Sequence, residues 1–360
     1  GDIRAVLGPQ GKNITVCQHG DNIAVIYGDP TTNPTQNPLE VKVAYSTNGG
    51  TSFMTYGPFT GELRRIYPGV DGTPDFCTTP GSLFFSWQVS PVGYNTGDEQ
   101  TMIEENVPSA PSFSMPLSLP QGTALFPWQT GIAVAPDDPY YIIAHGWSYL
   151  NGGNLGIYCW ISTDGGYMWS DPPILIHTVA NSTNGNGGHL RMGTGGYVAM
   201  TFHDEYNWNG SLREWPYLVE STDGGNTWLP AVPLPVPWTD TTQATGFWWH
   251  EMDIEVISNQ PWTVHTDLGS DSMWLFYPSG GGPGSWSWNV LNVREASSDS
   301  HHTGTPPHDT LYMCYAVQYP SVCYDEVSGL ILVTYKGYWY RGDAAGPWAD
   351  LNGAQVGGIY

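Results

Sequence analysis

Three segments of the chain repeat one pattern at a regular distance, and that distance limits the architecture more than any other feature. Ser46-Thr-Asn-Gly-Gly-Thr-Ser-Phe53, Ser162-Thr-Asp-Gly-Gly-Tyr-Met-Trp169 and Ser221-Thr-Asp-Gly-Gly-Asn-Thr-Trp228 share the form Ser-x-Asp/Asn-x-Gly-x-x-aromatic. Trp169 and Trp228 are 59 residues apart, and Phe53 and Trp169 are 116 apart, so one unit is expected between them. Degenerate copies fall where the period puts them: Pro108-Ser-Ala-Pro-Ser-Phe113, the glycine-rich stretch Ser279 to Trp286, and Gly342-Asp-Ala-Ala-Gly-Pro-Trp348. The closing aromatics are Phe53, Phe113, Trp169, Trp228, Trp286 and Trp348.

The pattern suits a hairpin turn. An Asp or Asn oxygen accepts hydrogen bonds from turn amides, glycine supplies positive φ, and the aromatic packs on the sheet. The three clear copies each follow a β-prone run: Val41 to Tyr45, Ile157 to Ile161 and Tyr217 to Glu220. A second, apolar strand runs in step with all six units: Ile23 to Tyr27, Leu83 to Trp87, Tyr141 to His145, Val198 to Phe202, Trp262 to His265 and Leu330 to Tyr335. A period in this range signals a propeller or solenoid, and units of this length hold four strands each. The expected fold is all-β: a six-bladed β-propeller with four-stranded antiparallel blades. It forms a single domain over 1–360, with blades near 10–60, 61–118, 119–178, 179–236, 237–293 and 294–360. An irregular β-sandwich with coincidental turns is the alternative. The short β-prone ends, Ile3 to Leu7 and Gln355 to Tyr360, are expected to meet in the closing blade.

Composition agrees. Gly (45) and Pro (30) are abundant enough to suggest disorder, but 17 Trp and 22 Tyr argue for a packed chain of short strands. A net charge of −23 excludes nucleic acid and anionic membrane surfaces as partners. No apolar run is long enough to span a membrane. The start at Gly1, with no signal peptide in view, leads us to expect a processed mature form.

The three turns resemble the Asp-box, or BNR, repeats of sialidases and related secreted propellers. Asp164 and Asp223 match the signature acid and Asn48 departs from it. The resemblance implies that each box sits between the third and fourth strands of a blade, away from the active face. Ser46, Asn48, Phe53, Ser162, Asp164, Trp169, Ser221, Asp223 and Trp228 are therefore expected to be structural. It also implies secretion. The family clamps a substrate carboxylate with three arginines, as bidentate guanidinium pairing favours. Arg64-Arg65-Ile66-Tyr67-Pro68 does not match the family's Arg-Ile-Pro motif, and Arg65, Arg191 and Arg294 fall on different blades, so a classical sialidase is not expected.

In a propeller, functional loops gather on one face. After the second strands come His145-Gly-Trp147, His203-Asp204-Glu205 and His265-Thr-Asp267. Before or within the first strands come Asp75, His189, His250-Glu251-Met-Asp253 and the stretch from His301 to Asp309. Two chemistries remain open. His145, His203, His265 and Asp267 could hold a divalent cation (Ca, Zn or Mn), although no HExxH-type spacing occurs. Alternatively Asp75, Asp204, Glu205, His250, Glu251 and Asp253 could supply acid–base catalysis on a sugar chain without a metal. For any single one of them, a locally satisfied polar residue is the plainer expectation. Trp147, Tyr206, Trp208, Trp248 and Trp249, with Arg65 and Arg191, are the candidates for contacting substrate, since exposed aromatics stack on sugar rings. Trp215 and the stretch Tyr338 to Tyr340 add to this aromatic content.

Five cysteines are present. Cys17, Cys77 and Cys323 occupy equivalent first-strand positions, so a bridge between two of them is expected. Cys17–Cys323 would staple the chain ends, Cys314–Cys323 is a local alternative, and Cys159 is expected to be a buried thiol. The leading functional expectation is a secreted propeller that binds or cleaves a glycan or glycoprotein, as a glycoside hydrolase or lyase. The alternative is a non-catalytic extracellular module that self-assembles into a surface layer or filament.

Overall fold

The computed structural model describes residues 14–17, 20–29, 40–59, 64–74, 76, 83–90, 100–107, 112–113, 117–120, 128–149, 155–179, 188–208, 210–237, 247–267, 272–294, 317–326 and 328–337. Among them the chain is almost entirely strand, with one short 3-10 turn at Thr194–Gly196. The first sheet is β1 (Ile14–Val16), β2 (Ile23–Asp29), β3 (Glu40–Ser46) and β4 (Met54–Phe59), hydrogen-bonded in that order. The second is β5 (Arg64–Gly72), β6 (Leu83–Ser90), β7 (Gln100–Val107) and β8 (Ser112–Phe113), with β9 (Leu117–Ser118) also pairing with β7. The third is β10 (Trp128–Ala135), β11 (Asp138–Tyr149), β12 (Leu155–Ser162) and β13 (Ile174–Val179). The fourth is β14 (His189–Met192), β15 (Val198–Trp208), β16 (Ser211–Ser221) and β17 (Val232–Pro233). The fifth is β18 (Phe247–Ile257), β19 (Gln260–Asp267), β20 (Ser272–Gly280) and β21 (Ser287–Arg294). β22 (Val317–Asp325) and β23 (Leu330–Gly337) pair as a sixth. Neighbours are antiparallel and consecutive in sequence, the meander that short turns dictate.

The described strands form six sheets, the number expected, four of them four-stranded, the second with five strands and the sixth with two, and each of the three clear turns lies between the third and fourth strands of its sheet. The turns share one hydrogen-bond scheme. Ser162 Oγ donates to Asp164 Oδ1 (2.8 Å) and accepts from the Gly166 amide (2.8 Å), while Asp164 Oδ1 also accepts from the Met168 amide (2.9 Å). Ser221 and Asp223 repeat this with Gly225 and Thr227. Ser46 and Asn48 do so with Gly50 and Ser52. Asn48 thus substitutes for Asp because a neutral side-chain oxygen serves the same amide. Gly224 shows why glycine stands in the turn: its φ is +75°, and a Cβ there would lie 2.2 Å from the Tyr141 hydroxyl. That hydroxyl donates to the Gly224 carbonyl at 2.7 Å.

The chain forms two compact units, 1–200 with 219–231 and 201–218 with 232–360. In the first, alternate residues of β2, β3, β5 and β6 supply a core of Ala24, Ile26, Val41, Val43, Val70, Phe85 and Trp87, joined by Cys17 and Phe76. A second cluster there packs Phe84, Ile132, Ile142, Tyr158 and Trp160 against Trp169, so one of the repeat's aromatics closes a core as expected. In the second unit Val264, Met273, Leu275 and Val322 form the core. Each such side chain contributes about 1.5–3 kcal/mol on burial.

The expected cysteine staple is corrected. Cys159 is a buried thiol as expected, and burial pushes it up to about 12. Cys323 is an exposed thiol, so neither Cys17–Cys323 nor Cys314–Cys323 forms. Cys17 is disulfide-bonded. Ile3 to Leu7 and Gln355 to Tyr360 also lie outside the described residues.

Candidate functional site

The strands run further than their apolar cores suggested, and this decides where the candidate residues stand. β15 continues through His203-Asp204-Glu205-Tyr206 to Trp208, and β18 begins at Phe247, so both acidic stretches are strand rather than loop. Successive residues of a strand point to opposite faces. The pleat therefore divides the cluster: His203 and Glu205 share one face of β15, and Asp204 and Tyr206 the other.

On the His203 face lies a polar inclusion within the second unit. His203 Nε2 is 3.0 Å from His265 Nδ1. His265 Nε2 lies 3.0 Å from Thr201 Oγ1 and 2.9 Å from Thr263 Oγ1. The His265 ring meets Phe276 edge-on, with centroids 5.8 Å apart. Both imidazoles are buried. The two histidines hydrogen-bond each other, and among the described residues no three His, Cys, Asp or Glu side chains gather to hold an ion. His145 is buried in β11 of the first unit, opposite Cys159 in register. The Asp267 side chain is outside the described set.

On the other face, Phe202 stacks on Tyr217 with centroids 5.8 Å apart, and Tyr206 leans on Trp215 at 4.9 Å. The Tyr217 hydroxyl donates to the Glu205 carbonyl oxygen at 3.1 Å. Burial first, then the Asp204 charge and Tyr206, push the Tyr217 phenol up to about 12, so at neutral pH it is a proton donor and not a nucleophile. Asp204 is buried, and its Oδ1 accepts from the Glu205 amide at 2.7 Å. Glu205 and Tyr206 are half-buried. This face therefore offers a buried carboxylate, a protonated phenol and an aromatic pair, while the half-buried Glu205 carboxylate belongs to the His203 face. That set can donate a proton, accept one and stack on a sugar ring.

Asp253 stands between two sheets. Its carboxylate is 5 % exposed, and Oδ2 accepts from Ser321 Oγ at 2.8 Å and from the Val322 amide at 3.1 Å. It fastens the first strand of the fifth sheet to the first strand of the sixth. Asp71, unremarked in sequence, does the same in the first unit, with Oδ2 accepting from the Val134 amide at 3.0 Å. Trp147 is buried in β11 and stacks on no open surface. Arg191 is buried too, with Nη1 donating to the Leu190 carbonyl at 2.9 Å. Asp75 and the stretch from His301 to Asp309 lie outside the described residues, as do Tyr338 to Tyr340. So do the side chains of His250, Glu251, Trp208, Trp248, Trp249, Arg65 and Arg294. Near the box, the Tyr197 hydroxyl donates to Glu220 Oε1 at 2.5 Å; burial and then the Glu220 charge raise Tyr197 far above the ordinary phenol value.

Sequence reasoning passed over Thr201, Thr263 and Tyr217. A signal for the first two was available: Thr-x-His occurs in the second strand of two successive repeats, as Thr201-Phe-His203 and Thr263-Val-His265.

No protein-family model and no curated protein sequence matches the chain. Solved structures do. The Trypanosoma rangeli sialidase superposes with a TM-score of 0.55 at 12% identity, over 91% of this chain and 52% of that one. The NanB sialidase of Streptococcus pneumoniae, in a mutant form, gives 0.56 at 8% identity over 91% and 65%. The GH93 α-L-arabinofuranosidase of Fusarium graminearum, solved with arabinobiose, gives 0.55 at 9% identity over 92% of each chain. The chain spans between about half and two thirds of the length of these sialidases. At such identities the likeness is one of fold: a sialidase-like arrangement of antiparallel sheets.

Proposed function

We propose that the chain is a secreted six-bladed β-propeller of the Asp-box kind that binds and cleaves a glycan or the glycan of a glycoprotein, acting as a glycoside hydrolase or lyase. The observation that carries this reading is the face of β15 and β16 where Asp204 and Tyr217 stand beside the Tyr206–Trp215 pair, with Glu205 next along β15 on its other face. Two carboxylates in unlike surroundings are the usual means of dividing acid and base roles on a glycosidic bond. Here Glu205 is half-buried and Asp204 is buried against an amide. Glu205 is the group we assign to proton transfer, Asp204 anchors its backbone amide, burial above all keeps Tyr217 protonated, and Tyr206 offers its ring to a sugar. The fold shared with three glycan-active enzymes supports the substrate class and no particular sugar.

A non-catalytic extracellular module that assembles with copies of itself is the second reading. It is favoured by Asp253, since one of the six candidate catalytic acids and bases serves to join sheets instead. A glycan array followed by hydrolysis assays on the bound sugars separates the two. The first reading expects Glu205→Gln to retain binding and lose turnover. Binding with no turnover by the wild-type chain would leave the module, and absence of both would remove the glycan from either.

A further inference from the structure

The four side chains that meet on the His203 face form one hydrogen-bonded chain. Thr201 and His203 are two residues apart on β15, and Thr263 and His265 are two apart on β19, so each threonine stands on the same face as its histidine. A threonine hydroxyl has one proton to donate. Thr201 Oγ1 donates it to the Tyr217 carbonyl at 3.0 Å, and Thr263 Oγ1 donates it to the Asp253 carbonyl at 2.9 Å. Both hydroxyls also lie within hydrogen-bond distance of His265 Nε2. With their protons engaged on carbonyls, they can only accept there, and His265 Nε2 must carry the proton.

The consequence passes to the second ring. A neutral imidazole protonated at Nε2 offers a lone pair at Nδ1. His265 Nδ1 therefore accepts, and His203 Nε2, at 3.0 Å, donates. We propose that Thr201, Thr263 and His265 are positioning residues that hold His203 as a neutral imidazole with its proton on Nε2, leaving Nδ1 as its hydrogen-bond acceptor. The same main-chain carbonyls that orient the threonines belong to β16 and β18, so the order of protons is built from three strands besides β15 itself. A link to glycan chemistry rests on the function proposed above, because His203 directly precedes Asp204 and Glu205. The proton order itself does not.

The test is long-range proton–nitrogen NMR of the whole chain labelled with 15N-histidine, at neutral pH, with assignments from His203→Gln and His265→Gln. Nε2–H with a pyridine-like Nδ1 is expected for both His203 and His265. Thr201→Ser with Thr263→Ser keeps both hydroxyls and is expected to give the same pattern. Thr201→Val with Thr263→Val removes both acceptors. His265 is then expected to move its proton to Nδ1 and donate to His203 Nε2, which transfers the His203 proton to Nδ1. A proton on Nδ1 of either ring in the wild type, or an imidazolium on either, would overturn the proposal. So would an unchanged pattern in a folded double-valine variant. Should the double-valine protein not fold, the wild-type and double-serine spectra still decide the matter. Because the readout is the tautomer and not turnover, an absence of glycan activity would defeat the functional reading and leave this one standing.

Discussion

Replacing Asp253 by alanine tests whether this acid is a fastening or a catalyst. The carboxylate is 5 % exposed and accepts from the Val322 amide and from Ser321 Oγ. Ser321 is exposed, so its hydroxyl can turn to water, but Val322 is buried and its amide cannot. Stranding a buried donor costs about 1–3 kcal/mol, and a hydrogen bond to a charged acceptor is worth about 1.5–3 kcal/mol. Taking these as overlapping descriptions of one loss, Asp253→Ala should destabilise the join between β18 and β22 by about 3 kcal/mol. Asp253→Asn keeps an oxygen for the amide and should cost about 1 kcal/mol. Because two compact units need not unfold together, a global midpoint is a poor gauge. Native-state hydrogen exchange along the β22–β23 ladder, around Val322 and Val333, reports the local value. At about 1.4 kcal/mol per tenfold, alanine should speed exchange there by about 150-fold and asparagine by about fivefold. Protection in Asp253→Ala within about 0.5 kcal/mol of wild type, the scatter of ordinary surface changes, would refute the fastening. Loss of glycan turnover in Asp253→Asn with protection intact would return the residue to the catalytic set.

The carboxylates of the two Asp-bearing turns should respond to acid and the Asn48 side chain should not. The Met168 amide holds Asp164 below its ordinary value, and the Thr227 hydroxyl and amide do the same for Asp223. A depressed native value means the stabilising contribution is complete above the ordinary aspartate range, near 3.9, and is lost as pH falls through the lower native value. In a pH series the Met168 and Thr227 amide signals should therefore move only in that acid window, while Ser52, served by Asn48, stays still; movement at Ser52 as well would point to general unfolding. Cys159, fully buried and pushed up to about 12, should resist iodoacetamide in the native chain and react once urea is added; rapid native alkylation would contradict its burial. Cys17 is disulfide-bonded while Cys159 and Cys323 are thiols. Phe76 shares the Cys17 core cluster, so a non-reduced digest should link the Cys17 peptide to that of Cys77, and a Cys17–Cys314 peptide would show this inference to be mistaken.

The repeat was legible because its information is local. Ser162, Asp164, Gly166 and Trp169 close their hydrogen bonds within one turn, so the spacing of four residues already implies the geometry. The apolar second strands were legible for a similar reason, since burial on both faces writes itself as a continuous apolar run. Strand ends were not. Polar residues at the end of β15 read as loop, yet Asp204 stays in strand because Tyr217 and Trp215 cover its face. That cover comes from β16, whose register against β15 no local pattern declares.

The candidate site was illegible for a deeper version of the same reason. His203, Asp204 and Glu205 look like one catalytic cluster when written in a line, and the two-residue period of the strand separates them onto two faces. What each then meets depends on a neighbouring strand: His203 meets His265 from β19, and Asp204 neighbours Tyr217 from β16. Asp253 shows the rule from the other side. It sits two residues from Glu251 in sequence, and its fate is set by the backbone amide of Val322, 69 residues away. In a meander of sheets, a motif confined to one turn can be read along the chain, but a function shared between sheets depends on which amide, hydroxyl or ring the next repeat presents. The pairing of two Thr-x-His triplets is therefore the kind of signal to seek in such chains: the same short pattern on the same strand of adjacent repeats, where the period itself brings the two copies together.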